Sequence, residues 1–150
     1  MENNFFAENG YYHVKGLYTE SELSKVRAIL NKFHHHWLQE NQSFYQSRGI
    51  NSSGLTGAAC LSVEEKFALF EFVSANTLLK QVKGIVADPQ FMNTQLFFNP
   101  YNPKQANYWH RDMQYHLELD AQKAALSGPE VLHCRVAFED ELGIELIPGS

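Results

Sequence analysis

The sequence has few cysteines, no long apolar run and no basic cluster, and each of these absences excludes a class of protein. Its two cysteines, Cys60 and Cys134, lie far apart and form no CxxC pair, which argues against a disulfide-stapled scaffold. No apolar run approaches the roughly 20 residues of a membrane helix, and the N-terminus lacks the basic residues of a secretory signal. We therefore predict a cytoplasmic protein with reduced thiols and no membrane segment.

The charge balance of the chain is mildly acidic. Lys and Arg number 12 against 17 Asp and Glu, which gives a formal net charge of −5. A nucleic-acid binder normally carries a basic patch, so we expect no nucleic-acid partner. With 150 residues, of which 44% are hydrophobic and 13% aromatic, the chain is long and apolar enough for one domain with a real core.

Residues 1–90 carry the signals of helices. Two capping boxes, at residues 19–22 and 62–65, each precede apolar residues at helical spacing. The first predicts an amphipathic helix over about 20–40, the second a strongly apolar helix, and a third helix is expected over 76–86.

Two segments of this region are not expected to be helical. Residues 5–14 predict a short lead-in, a glycine turn and a strand. Residues 41–58 are polar and rich in Gly and Ser, which predicts a long loop.

Beyond residue 90 the pattern changes to short strands separated by turns. Four strands are expected, over residues 92–98, 107–112, 131–138 and 144–147, with a polar loop over 118–130. Helices followed by antiparallel strands predict an α+β fold, and the short strands favour a sandwich, barrel or jelly roll.

The residues with the clearest chemistry are His110 and Asp112. On a strand, side chains at positions i and i+2 project to one face, so this imidazole and this carboxylate can converge on one metal ion. Together they supply two members of the two-His-one-carboxylate set that holds non-haem Fe(II). A His-x-Asp pair also arises by chance, so a solvated or structural role for both residues stays open at this point.

Three parts of the sequence carry motifs. Residues 5–30 contain a Gly-Tyr, a predicted strand, a basic-Gly pair and a capped helix. Residues 109–112 are Trp-His-Arg-Asp, and residues 136–140 followed by 146–150 give a predicted strand, an acidic turn and a Leu-Ile-Pro-Gly-Ser element. In this order they resemble the opening, the W-H-x-D metal motif and the "iPGSH" element of the phytanoyl-CoA dioxygenase family.

The resemblance implies a fold, an activity and a set of cofactors. The fold would be N-terminal helices packed on a double-stranded β-helix, or jelly-roll barrel. The activity would be that of an oxygenase that uses Fe(II), 2-oxoglutarate and O2 to hydroxylate a small-molecule substrate. His110 and Asp112 would be metal ligands, and a carboxylate at position 112 favours hydroxylation over halogenation.

The same resemblance implies two residues for which the sequence offers no counterpart. The family has a second metal-binding His, and then an Arg for 2-oxoglutarate, downstream of its PGSH element. We therefore expect residues 1–150 to be a single domain of this family truncated at its C-terminus, with a helical part over about 1–90 and barrel strands over about 91–150. Such a chain would not turn over 2-oxoglutarate and would self-associate through open sheet edges.

Other histidines are poor substitutes for the missing ligand. His116, six residues after His110, would reach the metal only through a sharp bend of the chain. His133 is more simply explained as a hydrogen-bonded structural residue. Side chains of the run at 34–36 point about 100° apart on a helix, so they cannot close on one ion, and we predict a solvated helix face for them.

Candidate cosubstrate contacts come from the first and third predicted strands. Gln95, Phe97 and Asn99 share one face, so Gln95 and Asn99 are expected to line the pocket, with a polar position at the barrel rim as the alternative. Arg135 shares a face with His133 and is a candidate contact for an anionic ligand. The opposite face of that strand is predicted to enter the core with Leu132, Cys134, Val136 and Phe138.

Three functions are therefore open from the sequence. The first is the oxygenase, the second a non-catalytic remnant or binding module of the same fold, and the third a cupin-like metal enzyme of another reaction type. Metal binding that depends on 2-oxoglutarate separates the first from the others, and metal binding that ignores it favours the third.

Overall fold

A computed structural model describes residues 2–106, 108–111, 117–125, 131–141 and 143–149. Its helices are α1 (Glu2–Asn9), α2 (Glu20–Glu40), α3 (Gln42–Ser47), α4 (Val63–Val73), α5 (Asn76–Lys83) and α6 (Leu119–Ala125), with a 3₁₀ helix at Leu55–Gly57. Its strands are β1 (Asn51–Ser53) and β2 (Gln95–Phe97). No helix in these ranges is long and apolar enough to cross a membrane.

Helices α2 and α4 begin where the sequence predicts. The Thr19 hydroxyl accepts from the Glu22 N–H at 3.3 Å, and a Glu22 carboxylate oxygen accepts from the Thr19 N–H at 2.7 Å. Ser62 and Glu65 repeat the exchange at 3.2 and 2.7 Å. Each box satisfies two N–H groups that the first helical turn leaves without a partner.

The core lies where α2 crosses α4 and the 3₁₀ helix. Leu69 of α4 is the most buried apolar side chain of the described core, at 2% exposure. The ammonium group of Lys32 lies 2.7 Å from the Glu65 carboxylate and joins the two helices at the edge of this core. The buried apolar residues are Val26, Leu30, Phe33, Leu55, Leu61 and Leu69.

Strands β1 and β2 form an antiparallel ribbon against α2. Ser52 lies opposite Leu96, and the Phe98 N–H donates to the Ile50 carbonyl at 2.9 Å, which extends the pairing by one step. Ser52 is buried and Leu96 packs against the core, whereas Gln95 and Phe97 are exposed. The ribbon therefore has an inner face towards α2 and an outer face that carries Gln95.

The loop predicted over 41–58 is partly wrong, because this segment contains α3, β1 and the 3₁₀ helix. The side chains of Phe44 and Tyr45 contact Trp37 and Phe98, and these contacts hold α3. Strand β1 forms because β2 satisfies its backbone, a partner that lies more than 40 residues away and that local composition does not show.

The prediction for residues 5–14 is confirmed only at its glycine turn. Gly10 has a φ of +77° and its N–H donates to the Phe6 carbonyl at 2.7 Å, which ends α1. Tyr11 to Val14 form no strand. Side chains hold this part instead: the Tyr12 hydroxyl donates to the Gln81 side-chain oxygen at 2.8 Å, and Phe5 packs edge-on against Tyr11.

Of the four predicted strands, only the first is found among the described residues, where it is β2. Residues 108–111, 131–138 and 144–147 run without a ladder, and residues 107 and 112 lie outside the described part. Within the predicted polar loop, residues 119–125 form α6. Residues 126–130 of that loop lie outside the described part of the chain. Helices with a two-stranded sheet agree with α+β, whereas no jelly-roll barrel is formed by the described residues, because a strand needs a partner edge as well as a pattern.

The segment 131–138 nevertheless keeps the predicted alternation. Leu132, Val136 and Phe138 are half-buried, and His133 and Arg135 are exposed. Cys134, predicted to enter the core, is exposed instead, since a segment without ladder bonds is free to turn individual side chains outward.

Many large apolar side chains of residues 91–149 are exposed. Exposed apolar surface favours association between protein molecules. The self-association expected from the sequence is not tested by the structure and stays a prediction. Those above half exposure are Phe91, Met92, Tyr101, Tyr108, Trp109, Leu119, Val131, Ile144 and Ile147.

Candidate functional site

The outer face of β2 and the segment 131–138 meet through Phe97. The guanidinium carbon of Arg135 lies 5.5 Å from the centroid of the Phe97 ring, a distance at which a cation is attracted to the aromatic face. Gln95 and Phe97 lie on the same face of β2 by strand alternation. The structure thus brings predicted cosubstrate contacts from two separate segments, Gln95 and Arg135, to one side of the ribbon.

Arg135 is held from a second direction by Glu141. Its Nε and Nη2 donate to the two carboxylate oxygens of Glu141 at 3.2 and 2.7 Å. Sequence reasoning missed this pair, since a spacing of six residues carries no recognised signal. Phe97, by contrast, was detectable from its position between Gln95 and Asn99.

Two contacts fix these segments to the helical part. Arg27 of α2 donates from Nε and Nη2 to the Phe138 carbonyl, at 3.3 and 2.9 Å, and so holds the end of the segment that carries Arg135. The Tyr45 hydroxyl donates to the Asn99 carbonyl at 3.1 Å. Asn99 itself is exposed just beyond β2, and its predicted place in the pocket stays a prediction.

His110 is exposed and lies beside Tyr108. Its Nδ1 is 3.2 Å from the Tyr108 carbonyl oxygen, and the two rings are 5.4 Å apart. A carbonyl oxygen only accepts, so this bond forms in the tautomer with the proton on Nδ1, which in the neutral ring leaves the lone pair on Nε2. Histidines that bind metals through Nε2 are commonly oriented in this way by a backbone carbonyl, so His110 fits the role of a metal ligand.

Asp112, the second predicted ligand, lies outside the described residues, as does His116. Its convergence with His110 is therefore still a prediction. Among the residues that the structure describes, no three His, Cys, Asp or Glu side chains come together as a metal site. The neighbouring Trp109 is 62% exposed, which places it outside the described core.

The histidine run on α2 departs from its prediction at one position. His35 is exposed and meets Gln39 at 3.1 Å, and His36 is 3.5 Å from the Glu40 carboxylate, as on a solvated face. His34 instead stacks on Phe98, with ring centroids 4.6 Å apart. The prediction of a solvated face is therefore wrong for His34, because Phe98 extends the ribbon over this part of α2.

The imidazole of His34 is poorly placed to carry a proton. Its Nε2 is buried and makes no hydrogen bond in the described structure. Burial, with a smaller contribution from the neighbouring His35, lowers the pKa of His34 below its ordinary 6.5.

This lowered pKa predicts a loss of stability in acid. A histidine whose folded-state pKa is below its unfolded value stabilises the fold above the unfolded pKa, and this contribution is lost as the pH falls below about 6.5. We expect a larger drop in the free energy of unfolding between about pH 7.5 and about pH 5 for the parent than for His34→Phe. Urea titrations check this, with His35→Phe as the control, and equal drops in all three chains would contradict it.

Comparison with known proteins gives one finding. The family model for phytanoyl-CoA dioxygenase matches residues 6–150. No curated protein and no solved structure matches the chain. The matched range contains His110 and both segments that meet at Phe97, and it covers nearly the whole sequence, so the chain belongs to the phytanoyl-CoA dioxygenase family.

Proposed function

We propose that this chain carries the metal-binding residues of an Fe(II)- and 2-oxoglutarate-dependent oxygenase that hydroxylates a small molecule. The observation that carries the proposal is the W-H-x-D motif at residues 109–112, inside the matched family range, with the His110 tautomer suited to binding through Nε2. When bound, iron and 2-oxoglutarate supply the O2-dependent oxidation of an unactivated C–H bond, chemistry that no protein side chain performs.

Each proposed residue has a separate task in this scheme. His110 binds the metal through Nε2, with Nδ1 held by the Tyr108 carbonyl. Asp112 supplies an anionic oxygen and lowers the net charge of the metal site. Arg135 binds a carboxylate group of the cosubstrate, while Gln95 and Asn99 offer amide groups on the same side of the ribbon.

The 150 residues hold two of the three metal ligands that the family resemblance implies. Two ligands bind a divalent metal weakly, so we expect weak binding by this chain alone. 2-Oxoglutarate would supply further oxygen donors to a metal held by His110 and Asp112, and we therefore expect it to strengthen metal binding. By linkage, the metal strengthens 2-oxoglutarate binding by the same factor.

Titration calorimetry with Mn(II), which replaces Fe(II) without oxidation, tests the proposal. We expect Mn(II) to bind more tightly when 2-oxoglutarate is present, and 2-oxoglutarate to bind more tightly when Mn(II) is present. Metal binding unaffected by 2-oxoglutarate would favour a cupin-like enzyme of another reaction type. A complete lack of metal binding would favour a non-catalytic member of the fold.

A further inference from the structure

The guanidinium of Arg135 has two partners. Its central carbon lies over the Phe97 ring, 5.5 Å from the centroid, and its Nε and Nη2 donate to Glu141 at 3.2 and 2.7 Å. A guanidinium has five N–H donors, so this bidentate pair uses two of them. The Arg135–Glu141 pair has the planar, two-bond geometry in which arginine binds any carboxylate.

The pair is open to exchange because it lies at the surface. The side chains of Arg135 and Glu141 are 39% and 38% exposed, and ion pairs with this exposure contribute little to stability. Releasing Glu141 therefore costs the fold little. The contact with Phe97 involves no atom of Glu141, so it can keep the guanidinium beside β2 after the carboxylate leaves.

We propose that Glu141 is an internal competitor that occupies on Arg135 the place of a ligand carboxylate. The inference rests on the proposed function, in which Arg135 binds an anionic ligand, and adds a means of regulating that site. In the unliganded chain Glu141 neutralises Arg135 and disfavours adventitious anions. A ligand carboxylate displaces it, gains the same two hydrogen bonds and lies on the side of the ribbon that carries Gln95.

A role for Glu141 in positioning Arg135, rather than in competing with the ligand, predicts the opposite change in anion affinity when Glu141 is removed. If Glu141 positioned Arg135 for the ligand, its removal would loosen the guanidinium and weaken anion binding. If it competes with the ligand, its removal frees two donors and one positive charge, and anion binding becomes tighter. The sign of the change in affinity therefore separates competition from positioning.

Succinate is a suitable probe because it has two carboxylates and needs no metal for binding. The test is a titration of succinate into the metal-free full chain, followed by NMR through the Arg135 Nε–H signal and the backbone signals of β2. Glu141→Gln is expected to bind succinate about two- to fivefold more tightly than the parent, the range set by the small contribution of an exposed pair. Arg135→Gln is expected to lose binding.

Glu139→Gln is the matched control. It removes the same charge from the same turn, and Glu139 makes no hydrogen bond to Arg135 among the described contacts. An affinity of Glu141→Gln equal to or below that of Glu139→Gln, or no succinate binding by Glu141→Gln, overturns the proposal. Because no metal is present, this result is independent of whether His110 and Asp112 bind iron, and the Mn(II) titration judges that separately.

Discussion

Replacing His110 with alanine is expected to reduce the affinity of the chain for Mn(II) by about 100-fold or more. Loss of a residue that merely orients a metal ligand already costs about 10- to 100-fold, and loss of the ligand itself costs at least as much. Asp112→Ala is expected to have an effect of similar size, because it removes the anionic ligand. Calorimetry of the two variants beside the parent checks both expectations.

Two other histidines provide controls for this experiment. His133→Ala removes an exposed imidazole from the segment next to the proposed site, and His35→Ala removes one from the solvated face of α2. Both variants should bind Mn(II) as the parent does. If His133→Ala lost as much Mn(II) affinity as His110→Ala, His133 would be identified as a metal ligand, and the proposed ligand set would be wrong.

Leu69→Ala is expected to destabilise the fold by about 2–5 kcal/mol, the usual cost of deleting a buried leucine side chain. Leu69 is 2% exposed and belongs to the cluster that joins α4 to α2. The substitution removes apolar contacts and leaves a cavity that close-packed neighbours fill only in part. Urea unfolding followed by circular dichroism measures the change.

Phe67→Ala is the matched control on the same helix. Its side chain is larger than that of Leu69 but 63% exposed, so its removal is expected to change the free energy of unfolding by no more than about 0.5 kcal/mol. The contrast separates burial from helix propensity, since both variants place alanine within α4. A larger loss in Phe67→Ala than in Leu69→Ala would mean that the exposed side of α4 is covered in solution.

Sequence predicted well the features that depend on neighbouring residues. The boxes at 19–22 and 62–65 begin helices because a side chain and a backbone N–H three residues apart need no other part of the chain. The shared face of Gln95 and Phe97 follows equally from strand alternation. Family membership was also predicted, because the three motifs and their order lie in the sequence itself.

Features that depend on distant partners were not predicted. Strand β1 needs β2 beside it, and the burial of His34 needs Phe98 above it. The predicted segment 131–138 has the alternation of a strand but no neighbouring edge in the described structure. The hydrophobic pattern of a segment shows which of its side chains turn inward, and this pattern is local to the segment. Which strand edges pair depends on other parts of the chain, so the local sequence does not show it.

The central claim is that a metal binds this chain at His110. NMR of the chain with ¹⁵N-labelled histidine, titrated with Mn(II) in the presence of 2-oxoglutarate, tests it most directly, because the chain has seven histidines and the paramagnetic ion broadens only those close to it. We predict that the ring signals of His110 broaden first and that those of His34, His35 and His36 broaden last. Broadening that begins in the α2 run, or that spares His110, would contradict the account.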